Sequence, residues 1–169
     1  MLQTKRLTLS AMFVAMGTIL GNIIYIPVGV SKCFPVQHAL NVISAVILGP
    51  WYAVAVAFSV SILRNILGTG SLLAFPGSMI GALLAGLVYK KTSSKLFASF
   101  GEVFGTGILG GIAAFPIAKF IMGKEVAALF FVVPFLLSTV GGSIIGYITL
   151  GILEKSNVLK LMDKLEAKP

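Results

Sequence analysis

Six apolar stretches alternate along the chain with short polar breaks, and the breaks hold most of the charge. The stretches run from about Leu7 to Ile24, Val36 to Leu48, Trp51 to Leu67, Leu72 to Tyr89, Val103 to Ile121 and Val126 to Leu153. A helix that crosses a bilayer needs about 20 mainly apolar residues, because each rises about 1.5 Å through a hydrocarbon core of roughly 30 Å. The pattern predicts an all-α membrane protein: a six-transmembrane-helix bundle over residues 1–153, followed by a short charged cytoplasmic tail, 154–169. Gly49-Pro50 forces a tight reversal between the second and third segments. The second segment is short for a full span, which implies a tilt, a loop that dips into the bundle, or a start within the outer loop.

Composition strengthens this reading. The 169 residues are 57% hydrophobic and only 11% charged, with mean hydropathy +1.03, whereas roughly a quarter of a soluble domain is charged. The loops, head and tail left over leave no room for a soluble catalytic domain. Lys5-Arg6 ahead of an apolar run imitates a signal peptide, but no small-x-small cleavage site follows before Tyr25-Ile26-Pro27, so the first helix is read as retained.

Charge sets the expected orientation. Of 13 Lys and Arg residues, Lys5, Arg6, Lys90, Lys91, Lys95, Lys155, Lys160, Lys164 and Lys168 fall on one face of the bundle, and Lys32, Arg64, Lys119 and Lys124 in the other half. Basic residues concentrate on the cytoplasmic side, so both termini are expected there, in a multi-pass membrane protein. Loops 25–36, 68–76 and 122–125 then face outward. The net charge of +8 is explained by topology and anionic headgroups, and nucleic acid is not an expected partner. The tail, with Leu159, Leu161, Met162 and Leu165, reads either as a weakly amphipathic surface segment or as a solvated continuation of helix six.

Polar groups inside a membrane are costly, so each needs a role. Gln37, His38, Asn41 and Ser44 make one stripe on the second segment. Ser61, Arg64 and Asn65 make another on the third, at the same depth. Two such stripes on helices joined by a tight turn point to a shared outward-opening pocket, with Phe34, Phe75, Phe131 and Phe135 as apolar or stacking walls. The plainer alternatives are an interfacial structural role for His38 and an Arg64 that snorkels to the headgroups. Cys33 reads as a buried filler or, beside Lys32, as a thiol of lowered pKa. Glu102 is read as a cap at the cytoplasmic end of segment five, or as a contact for a cytoplasmic partner. Lys124-Glu125 reads as an exposed pair.

Small residues recur at helical spacing: Ala11 and Ala15; Gly77, Gly81 and Ala85; Gly107, Gly111 and Ala114; Ser138, Gly142 and Gly146. They are read as packing faces. Ala11 and Ala15, with Gly17 and Gly21 nearby, can instead offer a flat surface to another membrane protein. No phosphate-binding loop, H-E-x-x-H or G-x-S-x-G occurs, so ATP hydrolysis, zinc proteolysis and common serine chemistry lack their parts. One histidine cannot supply a two-histidine metal site, and no chain of acidic residues crosses the bilayer. A non-enzymatic transport subunit without cofactor or metal is the expectation.

Beyond these residues, the chain resembles the ThiW family, the thiazole-specific substrate-binding (S) components of energy-coupling factor (ECF) transporters. The resemblance rests on A-x-x-x-A in the first helix, P-V-G-V-S-K-C-F-P-V-Q-H-A-L-N-V (27–42), G-P-W-Y (49–52), R-N-I-L-G-T-G-S-L-L-A-F-P-G-S (64–78) and G-E-V-F-G-T-G-I-L-G-G (101–111). It implies capture of hydroxyethylthiazole, a thiamine precursor, from outside, and inward delivery by toppling. The implied partners are a transmembrane T component, met through Ala11 and Ala15, and two ATPase subunits that hydrolyse the ATP. Gln37, His38, Asn41 or Arg64 would then bond the thiazole nitrogen and hydroxyl, a neutral His38 being able to donate to the nitrogen. Leu67 to Phe75 could act as a lid. The rivals are an S component for another vitamin (thiamine, a pyrimidine precursor or biotin), a stand-alone channel or facilitator, and an assembly subunit without a ligand.

Overall fold

The all-α expectation holds. The computed structural model describes residues 2–28 and 31–156, and among these it has six helices and one small hairpin. Helix α1 is Leu2–Ile23, α2 Pro35–Leu48, α3 Pro50–Ile66, α4 Ala74–Thr92, α5 Lys95–Ile121 and α6 Val132–Lys155. Strands β1 (Ile26–Val28) and β2 (Ser31–Cys33) pair antiparallel between α1 and α2. The proposed tail residues Leu159, Leu161, Met162 and Leu165, with Lys160, Lys164 and Lys168, lie outside the described residues, as does the Lys32 side chain.

By length and apolarity three helices can cross a membrane: α1 from Gln3, α5 and α6. Helix α2 is short because it is the centre of the bundle. Its 14 residues rise only about 21 Å, and 11 of them are buried. A helix enclosed on all sides presents no face to lipid, and its length is free of the bilayer's thickness. Pro35 starts it at the first helical position, where the missing N–H costs nothing. Gly49 at φ +86° makes the reversal into α3.

The bundle is apolar outside, where Trp51, Phe58, Phe97, Phe100, Phe104 and Phe120 are exposed, and its interior combines apolar clusters such as Phe13, Leu40, Val56 and Val60 with the buried polar side chains Gln37, Asn41, Arg64 and Glu102. Lipid as solvent explains the apolar exterior.

Three segment starts differ from the sequence reading, the first helix beginning at Leu2, not Leu7. The fifth helix starts at Lys95, not Val103, so Glu102 is two turns inside it and fully buried. It does not cap the helix and is closed to a cytoplasmic partner. The sixth helix starts at Val132, not Val126, and 128–131 form turns.

Helix α5 carries two stretches of π-type turns, Val103–Gly110 and Ile117–Ile121. The wider turn matches the packing: an added Cβ on Gly105 would lie 2.7 Å from the Cα of Gly81, and one on Gly110 would overlap the Cα of Gly77. A five-residue step on α5 thus meets a four-residue step on α4, which an i→i+5 winding allows and 3.6 residues per turn does not. Gly142 and Gly146 of α6 likewise let it close on α2 at His38 and Ala39. These small-residue faces serve the internal bundle. On α1 the faces divide: Gly17 and Gly21 turn inward onto Val60 and Arg64, whereas Ala11 and Ala15 are exposed.

Candidate functional site

The two polar stripes meet. Gln37 and Asn41, one turn apart on α2, face α3 and α4. The Arg64 guanidinium donates from Nη1 to Gln37 Oε1, and Gln37 Nε2 donates to Ser78 Oγ at 3.0 Å and towards Ser61 Oγ at 3.4 Å. Asn41 Nδ2 lies 3.1 Å from Ser78 O and 3.0 Å from Glu102 Oε1. His38, one residue round the helix from Gln37, places Nδ1 at 3.0 Å from the same Oε1. Thr106 Oγ1 reaches both Glu102 Oε1 at 2.9 Å and Gly77 O at 3.0 Å, its one proton serving one acceptor at a time. The result is a continuous relay from Arg64 through Gln37, Ser78 and Asn41 to Glu102 and His38, linking four helices.

Burying a cation and an anion is tolerable only when their hydrogen-bonding needs are met. Arg64 meets part of its own through Gln37, a bond from Nη2 to Thr69 O at 3.1 Å, and the Phe34 ring, whose centroid lies 4.0 Å from Cζ, while its Nε is buried with no partner among the described residues. It does not snorkel, being 2% exposed. Glu102 collects donors on Oε1, while Oε2 is buried with no partner among the described residues. Gly81 makes room for it, since a Cβ there would overlap Oε2.

Above this relay a cavity of about 600 Å³ opens at one end of the bundle, within the range usual for small-molecule sites. Its polar floor is Gln37, His38, Arg64, Ser78, Thr106 and Ser138; its aromatic walls are Phe34, Phe130, Phe131 and Phe135; the 68–71 turn and Lys124 border it. The turn is tied to α3: Thr69 and Gly70 both donate to Arg64 O, at 2.9 and 2.8 Å. Towards the opposite end of the bundle, Lys95 of α5 pairs with Glu154 of α6.

Of the residues singled out from sequence, Phe34, Gln37, His38, Arg64, Phe131 and Phe135 line the cavity. Asn41 lies beneath it. Asn65 lies beside it, donating to Ser61 O at 2.8 Å and Ser71 O at 3.2 Å, and so anchors the turn. Phe75 is not brought to the wall; its ring meets Phe58 edge-on at 5.8 Å. Cys33 is a buried filler whose thiol lies 3.5 Å from Pro134 O. Burial pushes this thiol up, against the lowering expected from Lys32. Lys124 and Glu125 are both exposed.

Sequence reasoning missed Ser78, Thr106, Ser138, Phe130 and the internal position of Glu102. Glu102 and Thr106, four residues apart, share a face of α5, a signal available only once the helix is begun at Lys95.

A family model described as thiamine-precursor transporter protein (ThiW) matches residues 7–156. No curated protein and no solved structure matches the chain.

Proposed function

The chain belongs to the ThiW family of thiamine-precursor transporter proteins, and on that premise we propose that it is the substrate-capture component of an ECF transporter, binding hydroxyethylthiazole in the cavity above the relay. The observation that carries this reading is the cavity itself: a chamber open at one end, aromatic on its walls and polar on its floor. A thiazole ring can lie against Phe34, Phe131 or Phe135, and its nitrogen and hydroxyl need the few placed polar groups that Gln37, His38 and Arg64 offer. Asn41 and Asn65 act from behind, holding the floor and the turn.

In this reading all six helices lie in the plasma membrane, both termini face the cytoplasm and the cavity faces outward. The chain carries no nucleotide-binding loop, so energy comes from a T component and two ATPases, which hydrolyse the ATP. The exposed Ala11 and Ala15 supply a flat face for the T component. Thiamine itself is the second reading, because the volume exceeds what one substituted thiazole ring fills.

Uptake of labelled hydroxyethylthiazole into vesicles tests the proposal. Uptake that requires the T component, the ATPases and ATP is the expected result. Equilibrating flux through this chain alone would replace the capture reading with a channel.

A further inference from the structure

Among the described residues, the only side chains of fixed charge that are buried are Arg64 and Glu102, and the chain's only histidine stands between Glu102 and the cavity. That arrangement decides what His38 can offer a ligand. Asn41 Nδ2 faces two oxygens, Ser78 O and Glu102 Oε1. Since a backbone carbonyl can only accept, the amide is oriented with its N–H groups on this side and donates to Glu102 Oε1. The carboxylate oxygen nearest His38 is therefore already an acceptor, and the hydrogen it shares with the imidazole resides on Nδ1.

A neutral imidazole carries one N–H, and with that hydrogen on Nδ1, shared with Glu102 Oε1, Nε2 carries a lone pair. No residue among those described bonds to it, and the His38 side chain keeps 11% of its surface accessible whereas Glu102 keeps none. On the other side Gly142 of α6 backs onto the His38 Cβ, where an added Cβ would come within 2.6 Å, so the ring is held where Glu102 sets it.

Resting on the capture reading above, we infer that Glu102 is a positioning residue that makes His38 Nε2 a hydrogen-bond acceptor, and that the cavity therefore selects ligands that place a hydroxyl donor at that atom. For hydroxyethylthiazole the alcohol O–H, not the ring nitrogen, meets His38. The nitrogen, an acceptor, is left to donors such as Arg64. The inference reverses the sequence-based expectation that His38 donates to the ring nitrogen. It makes the alcohol, rather than the thiazole, the feature by which this part of the site tells ligands apart.

Nitrogen-15 NMR of the histidine-labelled wild-type protein reads the tautomer directly, because a single histidine gives a single set of ring signals. A protonated Nδ1 with an unprotonated Nε2 is expected; the opposite tautomer, or a doubly protonated ring, overturns the inference. In the same preparation, hydroxyethylthiazole should bind at least about tenfold tighter than its methyl ether, which keeps the oxygen and loses the donor. Equal affinities would overturn the inference and leave the capture reading standing, whereas failure of both compounds to bind would overturn the capture reading and with it the ligand half of this one. In Glu102→Gln the carboxamide can present either oxygen or NH2 to Nδ1, so the tautomers should mix and the preference for the alcohol over the ether should shrink. A variant that binds with tautomer and preference unchanged would remove Glu102 from its role. The two wild-type measurements decide the matter even where that variant fails to fold.

Discussion

Replacing Gly81 by alanine should damage this protein more than its single added methyl implies. The new Cβ would overlap Thr106 Oγ1 and Glu102 Oε2 and lie 2.8 Å from Glu102 Cδ. Overpacking of this kind costs about 1–3 kcal/mol. Moving Glu102 away from Asn41 and His38 leaves buried donors unpaired, at about 1–3 kcal/mol more. Against that, alanine favours a helix over glycine by about 1 kcal/mol. The net loss is about 1–5 kcal/mol, or roughly 2–20 °C in Tm for a chain of this length. Gly141→Ala is the control, because its Cβ would meet only Pro35 Cβ, at 3.8 Å, and should leave Tm unchanged or raised. Cys33 supplies the assay: it is the sole cysteine and only 2% exposed, so a thiol-reactive dye reports its release on heating. Equal Tm values for the two variants would refute the claim that Glu102 fills the space Gly81 leaves.

Arg64→Met should weaken hydroxyethylthiazole binding at least about tenfold, since it removes the cation from the Phe34 face and leaves Gln37 Oε1 without its donor; Arg64→Lys should not restore it, lacking the fork that reaches Gln37 and Thr69 together. Retained affinity in both, by calorimetry, would place the ligand elsewhere. The Cys33 thiol, pushed up by burial, holds less thiolate at any given pH than an exposed one, so maleimide labelling of the folded protein should be slow at pH 7 and rise only above the ordinary thiol range. Labelling as fast as in the unfolded chain would contradict the burial. Ala11→Leu with Ala15→Leu should leave thiazole affinity within twofold of wild type, since both positions face outward, while abolishing ATP-driven uptake; loss of affinity with uptake would make these residues part of the bundle instead.

Much of the site was legible because helical periodicity is local. Gln37 and Asn41 share a face at i and i+4, and Arg64 lies at matching depth beyond a Gly-Pro reversal, so their convergence follows from the chain alone. The division on α1 is equally local: Ala15 and Gly17 are two residues apart, about 200° around a helix, and cannot face the same neighbour. Glu102 shows where this reasoning stops. A charge within an apolar run resembles a boundary, and the donors of His38 and Asn41 that help make its burial tolerable lie more than 60 positions away. Phe75 and Phe135 are alike in sequence, yet one meets Phe58 and the other the cavity, a difference set by how α4 and α6 are rotated. Cys33 repeats the lesson, since its neighbour in sequence mattered less than the packing over it.

Calorimetric titration of hydroxyethylthiazole into the detergent-purified protein, with thiamine, riboflavin and the thiazole phosphate as competitors, tests the capture reading most directly. Saturable one-to-one binding, displaced by none of the three at matching concentration, is the expected result. Absence of saturable heat for the thiazole, or its displacement by a competitor that binds more tightly, would contradict the assignment of this cavity to the free thiazole alcohol.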